Sequence, residues 1–257
     1  MNVPTRIIRH YLKYHSGYEL SEKQNWLPTP TFDNIKLVLA LYKMIKPSAT
    51  FVQIGAYDGK TDDPTSEFVL GGEMRCLLVE PIEESFQKLN NIYAGKSNVS
   101  LMRAAIGHSD GNAILFKIKK GSHSDSILTG GLASFNKAHL LKHHIRKEDI
   151  EPVTVPSLTL KSLLAKFCLE KVDIMQIDTE GFDAEIVKMA LALPIPPDCL
   201  NFENLHLSRD VKKELYALLT KCGYVYSHYK FDTTALHRRW IDGLLAIAGG
   251  SKAQSNF

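Results

Sequence analysis

From Ala49 onward, hydrophobic runs of four or five residues alternate with amphipathic stretches. That rhythm predicts a parallel sheet with helices on both faces. Phe51, Val52 and Ile54 form the first run, read as a buried strand that turns through Gly55 and Gly59 into a helix over about 62–70. The run Cys76 to Val79 is the next strand; it ends in Glu80 and is followed by a helix over about 83–93. A strand from Val99 into Arg103–Gly107 and another over Ala113 to Ile118 come next. Residues 119–150 then break the rhythm, first with glycine, serine and histidine and afterwards with the basic run KAHLLKHHIRK. Long irregular insertions in compact domains tend to be functional loops, so this one is read as a cover. Alternation resumes with a strand near Val153–Val155, a helix from Ser157 to about Phe167 and a strand over Asp173–Asp178. A helix ending before Pro194, a strand over Cys199–Asn204, a helix from about Ser208 to Lys221 closed by Gly223, and the strand YVYSHY complete the series.

Ahead of this series, Ile7, Ile8, Tyr11 and Leu12 lie at helical spacing, and Pro28 and Pro30 mark a loop. Asp33 is placed to cap an apolar helix over Ile35–Ile45, before Pro47. The expected organisation is a helical N-terminal extension over 1–48 and a main domain over 49–240 carrying the insertion at about 119–150. A C-terminal tail over 241–257 would follow. No internal repeat is visible.

Composition narrows the classes without choosing among them. The net charge of +3 is mild and no long uninterrupted basic run occurs, which argues against nucleic acid as the main partner. Cys76, Cys168, Cys199 and Cys222 form no C-x-x-C pair and read as buried thiols of a reducing compartment. No apolar stretch approaches the length that spans a bilayer, and the N-terminus lacks the apolar core of a signal peptide. A cytoplasmic protein is the plain reading.

The candidate chemistry gathers at the carboxyl ends of strands, where open α/β sheets bind ligands. Glycines in the turn Gly55–Gly59 let a ligand lie against the backbone. Glu80, ending the next strand, is placed to accept hydrogen bonds from both hydroxyls of a ribose. Together they imply a nucleoside-containing ligand. The turn reads G-A-Y-D-G and not G-x-G-x-x-G, and Asp58 would repel a pyrophosphate. S-adenosylmethionine, with an ammonium and a sulfonium and no phosphate, suits a carboxylate there. Asp178 opens D-T-E-G-F-D and faces the same cleft, with Glu180 and Asp183 either sharing the site or capping a helix. Glu203 and His206 in NFENLHL stand at a further strand end, as a proton acceptor, as metal ligands, or simply as a buried Glu paired with a polar neighbour and a surface His. The cluster His139, Lys142, His143, His144, Arg146 and Lys147 lacks zinc-site spacing and reads first as a solvated helix face, with a cationic rim for an anionic acceptor as the sharper alternative.

The series QIGAYDGKTDDP, LLVEP, RAAIG, GGLASF, TLKSLL, VDIMQIDTEGFDAEI, ENLHL, CGY and DTTA resembles the FkbM family of class I S-adenosylmethionine-dependent methyltransferases, in the family's order, from about Thr50 to Ala235. The resemblance implies an α/β, Rossmann-like sheet of seven mostly parallel strands with an antiparallel edge hairpin. It also implies methyl transfer to a hydroxyl of a sugar, glycan or glycosylated secondary metabolite. Gly55, Ala56, Asp58 and Gly59 match the cofactor turn, Glu80 and Pro81 the ribose-holding segment, and Ala104 and Ala105 the adenine flank. Asp178 matches the acid near the methionine part. Gln53 stands where many class I enzymes carry an acid, and Tyr57 where a small residue or Asn is common. Asp178, Glu203 and His206 are the catalytic candidates. They act through His206 as a general base or, as the less favoured alternative, by holding a divalent cation. Two other readings stay open: a nicotinamide-dependent oxidoreductase, and an inactive cofactor-binding module acting through its basic insertion.

Overall fold

The computed structural model describes residues 34–61, 63–72, 74–125 and 131–248. The helix expected around Ile7 and the cap at Asp33 lie outside them. The described chain begins with α1 (Asn34–Ile45) and β1 (Thr50–Ile54), then α2 (Ser66–Gly71), β2 (Arg75–Val79), α3 (Glu83–Tyr93) and β3 (Val99–Met102). Next come β4 (Ala105–Ile106), β5 (Gly111–Ile118), β6 (Ala133–Ser134), α4 (Lys137–Lys142) and β7 (Ile150–Leu158). The last third contributes α5 (Leu160–Lys166), β8 (Ile174–Ile177), α6 (Asp183–Leu191), β9 (Cys199–Glu203) and α7 (Arg209–Lys221). It ends with β10 (Tyr224–Tyr229), β11 (Asp232–His237) and α8 (Arg238–Ala248).

Seven strands form one sheet in the order β10-β11-β9-β8-β1-β2-β3. β1, β2, β3, β8 and β9 run parallel, and β11 is antiparallel to both β9 and β10. This is the α/β architecture with an antiparallel edge hairpin that the resemblance implied. The central strands read as near-continuous apolar runs because both faces are covered. Alternate residues go to opposite layers. Val52, Ile54, Leu77, Val79, Met175, Ile177, Leu200 and Phe202 pack with side chains of α5, α6 and α7. Phe51, Leu78, Cys76, Ile174 and Cys199 pack with α1, α2, α3 and α8.

Two boundaries move. α1 is part of the main core, with Tyr42 stacked on Trp240 of α8 at 5.0 Å between ring centroids and both rings buried. The tail expected from residue 241 instead continues α8, which starts at Arg238. Its apolar side closes the layer over β1 that the sequence alone left open.

The strand expected to run from Val99 through Gly107 divides. β3 ends the main sheet at Met102, and β4 begins a second sheet of order β4-β7-β5-β6. In that sheet β5 and β7 pair antiparallel over eight positions, from Gly111↔Ser157 to Ile118↔Ile150. β5 is only intermittently buried, as expected of an antiparallel ribbon with one wet face. The described part of the insertion over 119–150 is thus the tip of a long hairpin rather than a free loop. That hairpin carries β6 and α4 back over the carboxyl ends of the main strands.

Candidate active site

The carboxyl ends of β1, β2 and β8 open on a cavity of about 200 Å³. Gly55 makes the first turn possible. Its φ is +82°, and a Cβ there would sit 1.7 Å from the Asp178 carbonyl oxygen. No side chain fits that approach. The chain then passes through Tyr57 at φ 46° and Gly59 at φ 74°, where a Cβ would meet Leu89 and Tyr93 at 2.6 Å. Gly55 and Ala56 donate backbone N–H groups to the Val79 carbonyl, which ties the turn to the end of β2.

Glu80 follows β2 and is buried. The Tyr57 N–H donates to its Oε2 at 2.9 Å and the Ile82 N–H to its Oε1 at 2.8 Å. Burial pushes its carboxyl up to about 7 against those two donors. Each oxygen keeps a lone-pair direction beyond its backbone donor, and Glu80 lines the cavity. Pro81, Ala104 and Ala105 line it as well, the alanines buried and presenting a flat apolar wall beside Leu115.

Gln53 lines the cavity, and its Nε2 donates to Asp63 Oδ2 at 3.2 Å. Asp63 itself lines the cavity, held by the Thr65 N–H and hydroxyl, each 2.7 Å from Oδ1. Sequence reasoning missed Asp63. It lies beyond the glycine turn in GKTDDP, and only the fold brings it back to Gln53. Asp58 behaves differently from the sequence expectation. Its carboxylate accepts from the Lys60 and Thr61 N–H groups and from the Thr61 hydroxyl, and it is not among the described lining residues. Burial opposes ionisation there, yet those donors hold the carboxyl below its ordinary value. An Asx turn has used the group locally.

Asp178 follows β8 and lines the cavity. It keeps accessible surface because it opens into that space, while protein atoms crowd it on its other sides. Burial raises its carboxyl well above the usual range, reinforced by the carboxylates of Asp183, Glu180, Glu203 and Asp232. Asp183 is structural: it accepts from the N–H groups of Thr179 and Gly181, each at 3.1 Å, and so braces the loop carrying Asp178. Burial pushes it up to about 6. The Thr179 hydroxyl, also at the cavity wall, is buried and has no hydrogen-bond partner among the described residues.

In-register neighbours Gln53, Gln176, Asn201 and Thr234 set a polar row across the main sheet, one or two residues inside the strand ends. Asn201 Nδ2 donates to Gln176 Oε1 at 2.8 Å, and the Thr234 hydroxyl to Asn201 Oδ1 at 2.5 Å. Satisfied polar groups at this depth fix one arrangement beneath the cavity.

Of the catalytic candidates, only Asp178 lines the cavity; Glu203 and His206 are not among the described lining residues. Burial and neighbouring carboxylates push Glu203 up to about 8, and its Oε1 lies 3.9 Å from His206 Nε2. The basic insertion supplies part of the cavity wall through Gly131, Leu132, Ala133 and Phe135. Its helix α4 is not a solvated face throughout. His139 is buried, and its Nε2 lies 3.0 Å from Glu180 Oε2. The signal was available as the i, i+4 pair His139/His143, which shares one helical face. Arg146 is engaged by Asp149 at 3.0 Å, whereas Lys142 and Lys147 are exposed.

Among the described residues no helix is long and apolar enough to cross a membrane. The family described as Methyltransferase FkbM domain matches residues 53–226. A methyltransferase FkbM from Methylobacillus flagellatus is similar in structure, with 15% identity, a TM-score of 0.46, and coverage of 74% of this chain but only 43% of that one. A putative RNA methyltransferase from Pyrococcus horikoshii is similar at 11% identity and TM-score 0.40, over 92% of this chain and 96% of that one. Aeropyrum pernix fibrillarin, in complex with natively bound S-adenosyl-L-methionine, is similar at 13% identity and TM-score 0.39, over 78% and 73% of the two chains. No curated protein matches the sequence.

Proposed function

This chain belongs to the FkbM methyltransferase domain family, and from that premise we propose that it is an S-adenosylmethionine-dependent O-methyltransferase acting on a hydroxyl of a sugar, glycan or glycosylated metabolite. One observation carries the cofactor reading. Asp63, Glu80, Asp178 and Glu180 line the cavity, and no Lys, Arg or His does so among the described residues. A pyrophosphate-bearing nicotinamide cofactor would meet four carboxylates, whereas a ligand with a ribose diol, an ammonium and a sulfonium complements them.

When bound, the cofactor supplies an electrophilic methyl group on a positively charged sulfur. In this reading Glu80 accepts the two ribose hydroxyls, using the lone pairs its backbone donors leave free. Pro81, Ala104, Ala105 and Leu115 make the apolar slot for the base. Gln53 and Asp63 hold the ammonium, so that Asp63 restores the acid that β1 lacks. Asp178, with no side-chain hydrogen bond among the described residues and a carboxyl raised well above its ordinary value, takes the proton from the acceptor hydroxyl at a carboxylate oxygen. The insertion's Gly131 to Ala133 and Phe135 exclude water over that oxygen.

The acceptor reading rests on the family and on an aromatic row leading out of the cavity. Phe135 meets Phe182 at 4.6 Å between centroids, and Phe182 meets His108 at 5.4 Å. The apolar face of a sugar ring packs on such surfaces while its hydroxyls stay wet.

The test is transfer of labelled methyl from S-adenosylmethionine to a panel of glycosides, with RNA included. Label in a glycoside hydroxyl is expected. Asp178→Asn should lose about 10²–10⁴-fold in kcat while still binding S-adenosylhomocysteine. Label in RNA alone would overturn the acceptor class, and no binding of S-adenosylhomocysteine would overturn the cofactor.

A further inference from the structure

Beside the cavity, three loops and one short helix bring four ligand-type side chains to a single point. His139 comes from α4, His143 from the turn just after it, Glu180 from the loop between β8 and α6, and His206 from the loop between β9 and α7. One donor atom from each lies within 4.8 Å of all the others. The three rings surround one another, with centroids 4.8 Å apart for His139/His143, 4.6 Å for His139/His206 and 4.5 Å for His143/His206.

Hydrogen bonding alone serves this arrangement poorly. His139 Nε2 lies 3.0 Å from Glu180 Oε2 and 3.1 Å from His143 Nε2. If His139 carries a proton at Nε2, that single N–H cannot point along both lines. If the proton sits on His143 Nε2 and points at His139, the His139 lone pair faces the Glu180 carboxylate. A cation at the common point accepts a lone pair from every one of these atoms. The neighbouring loop is shaped to allow it: Gly181 has φ 100°, and a Cβ there would stand 2.9 Å from His139 Nδ1.

We propose that His139, His143, Glu180 and His206 form a binding site for one first-row divalent transition metal, zinc in the first instance, that staples the insertion to the two strand-end loops. Donors about 2.0–2.1 Å from a tetrahedral zinc stand about 3.3–3.4 Å from one another; the separations among His139, His143 and Glu180 are 3.0, 3.1 and 3.9 Å, and His206 brings its donor within 4.8 Å of the rest. Three imidazoles and one carboxylate select zinc and its transition-metal neighbours over magnesium or calcium, which prefer all-oxygen sets. Four protein ligands make a closed site, the form that metals take when they fix structure.

The structure differs from two sequence expectations. His139 is buried, so the basic cluster is not a solvated face throughout. His206 belongs with His139 and His143, and Asp178 and Glu203 are not part of the cluster. Glu180 has one side on the cavity wall, so the metal would fix the insertion where it closes over the acceptor. The proposal stands on the side-chain cluster and does not depend on which acceptor is methylated.

The experiment uses the full chain without a histidine tag, stripped with a chelator and titrated with cobalt(II) and then zinc. One equivalent of cobalt should bind with the strong visible absorption of a tetrahedral ion, and zinc should displace it. Zinc should also raise the melting temperature of the stripped protein. His143→Ala, at a partly buried side chain outside the main core, should weaken metal binding by more than the about 10–100-fold that loss of an outer-shell partner costs. Calorimetry with S-adenosylhomocysteine, run in parallel, shows that the variant is folded. Failure of the stripped wild type to take up one equivalent of either metal would overturn the site. So would uptake unchanged in both His143→Ala and His206→Ala, because the ion would then lie elsewhere.

Discussion

Replacing Glu80 by Gln separates two consequences of burying one carboxyl. In the folded chain Glu80 is pushed from an ordinary 4.5 to about 7 by burial. Each pKa unit is worth about 1.36 kcal/mol, so holding the ionised group in the fold costs on the order of 3 kcal/mol more than in the unfolded chain. Between those pH values the native state binds the proton and the unfolded state does not. Stability contributed by the neutral form is therefore complete below about pH 4.5 and is lost as pH rises through about 7. The Gln variant cannot ionise and escapes that loss. It has a fixed cost instead, because its single amide oxygen cannot accept from both Tyr57 and Ile82, and an unmade buried hydrogen bond costs about 1–3 kcal/mol. Urea unfolding should therefore find Glu80→Gln less stable than wild type at pH 5, and equal or more stable at pH 8. A variant that tracks wild type in parallel across that range would refute the reasoning. Cofactor binding should move the other way. Hydrogen bonds to an ionised group contribute about 1.5–3 kcal/mol, so calorimetry at pH 8 should show about 10- to 150-fold weaker binding of S-adenosylhomocysteine. Unchanged affinity would remove Glu80 from the ribose.

Gly55→Ala should not yield a natively folded protein, because its Cβ would lie 1.7 Å from the Asp178 carbonyl oxygen at a left-handed φ; a melting temperature within a few degrees of wild type would contradict this. Asp63→Asn should raise KM for S-adenosylmethionine by about tenfold or more with little change in kcat, the pattern of lost uniform binding; a fall in kcat alone would place Asp63 at the reacting atoms instead. If the exposed Lys142 and Lys147 steer an anionic acceptor, kcat/KM should fall with added salt in wild type, since exposed charges are screened within about 8 Å at physiological ionic strength. A Lys142→Ala/Lys147→Ala double variant should be slower and lose that dependence, and salt-independent kinetics in wild type would end the steering role.

What the sequence revealed follows the range of the interactions involved. The strand–glycine–helix unit around Gly55 and the acid ending β2 are local features, and both lie where expected because β1 and β2 pair in register over five positions. The second sheet was hidden for the opposite reason. Nothing in Val99–Gly107 announces that the chain changes sheets after Met102, since the partner that draws it away, β7, lies some fifty residues on. Asp58 looked like a ligand-facing acid, but a Thr three residues later offered it a closer use. Asp63 fell within the helix expected over about 62–70 and became a cavity residue through Gln53. The histidine group shows both cases at once. His139 and His143 announce a shared face by their spacing, but Glu180 is 41 residues beyond His139 and meets it only because the hairpin folds back over the strand ends.

The account turns on the cavity at the ends of β1, β2 and β8 being the cofactor site, and a crystal structure with S-adenosylhomocysteine tests that most directly. The ribose hydroxyls are predicted on the Glu80 carboxylate, the base against Ala104 and Ala105, and the amino-acid end beside Gln53 and Asp63, with its sulfur nearest Asp178. Density for the ligand away from this cavity, or in it with the ribose turned from Glu80, would contradict the assignment.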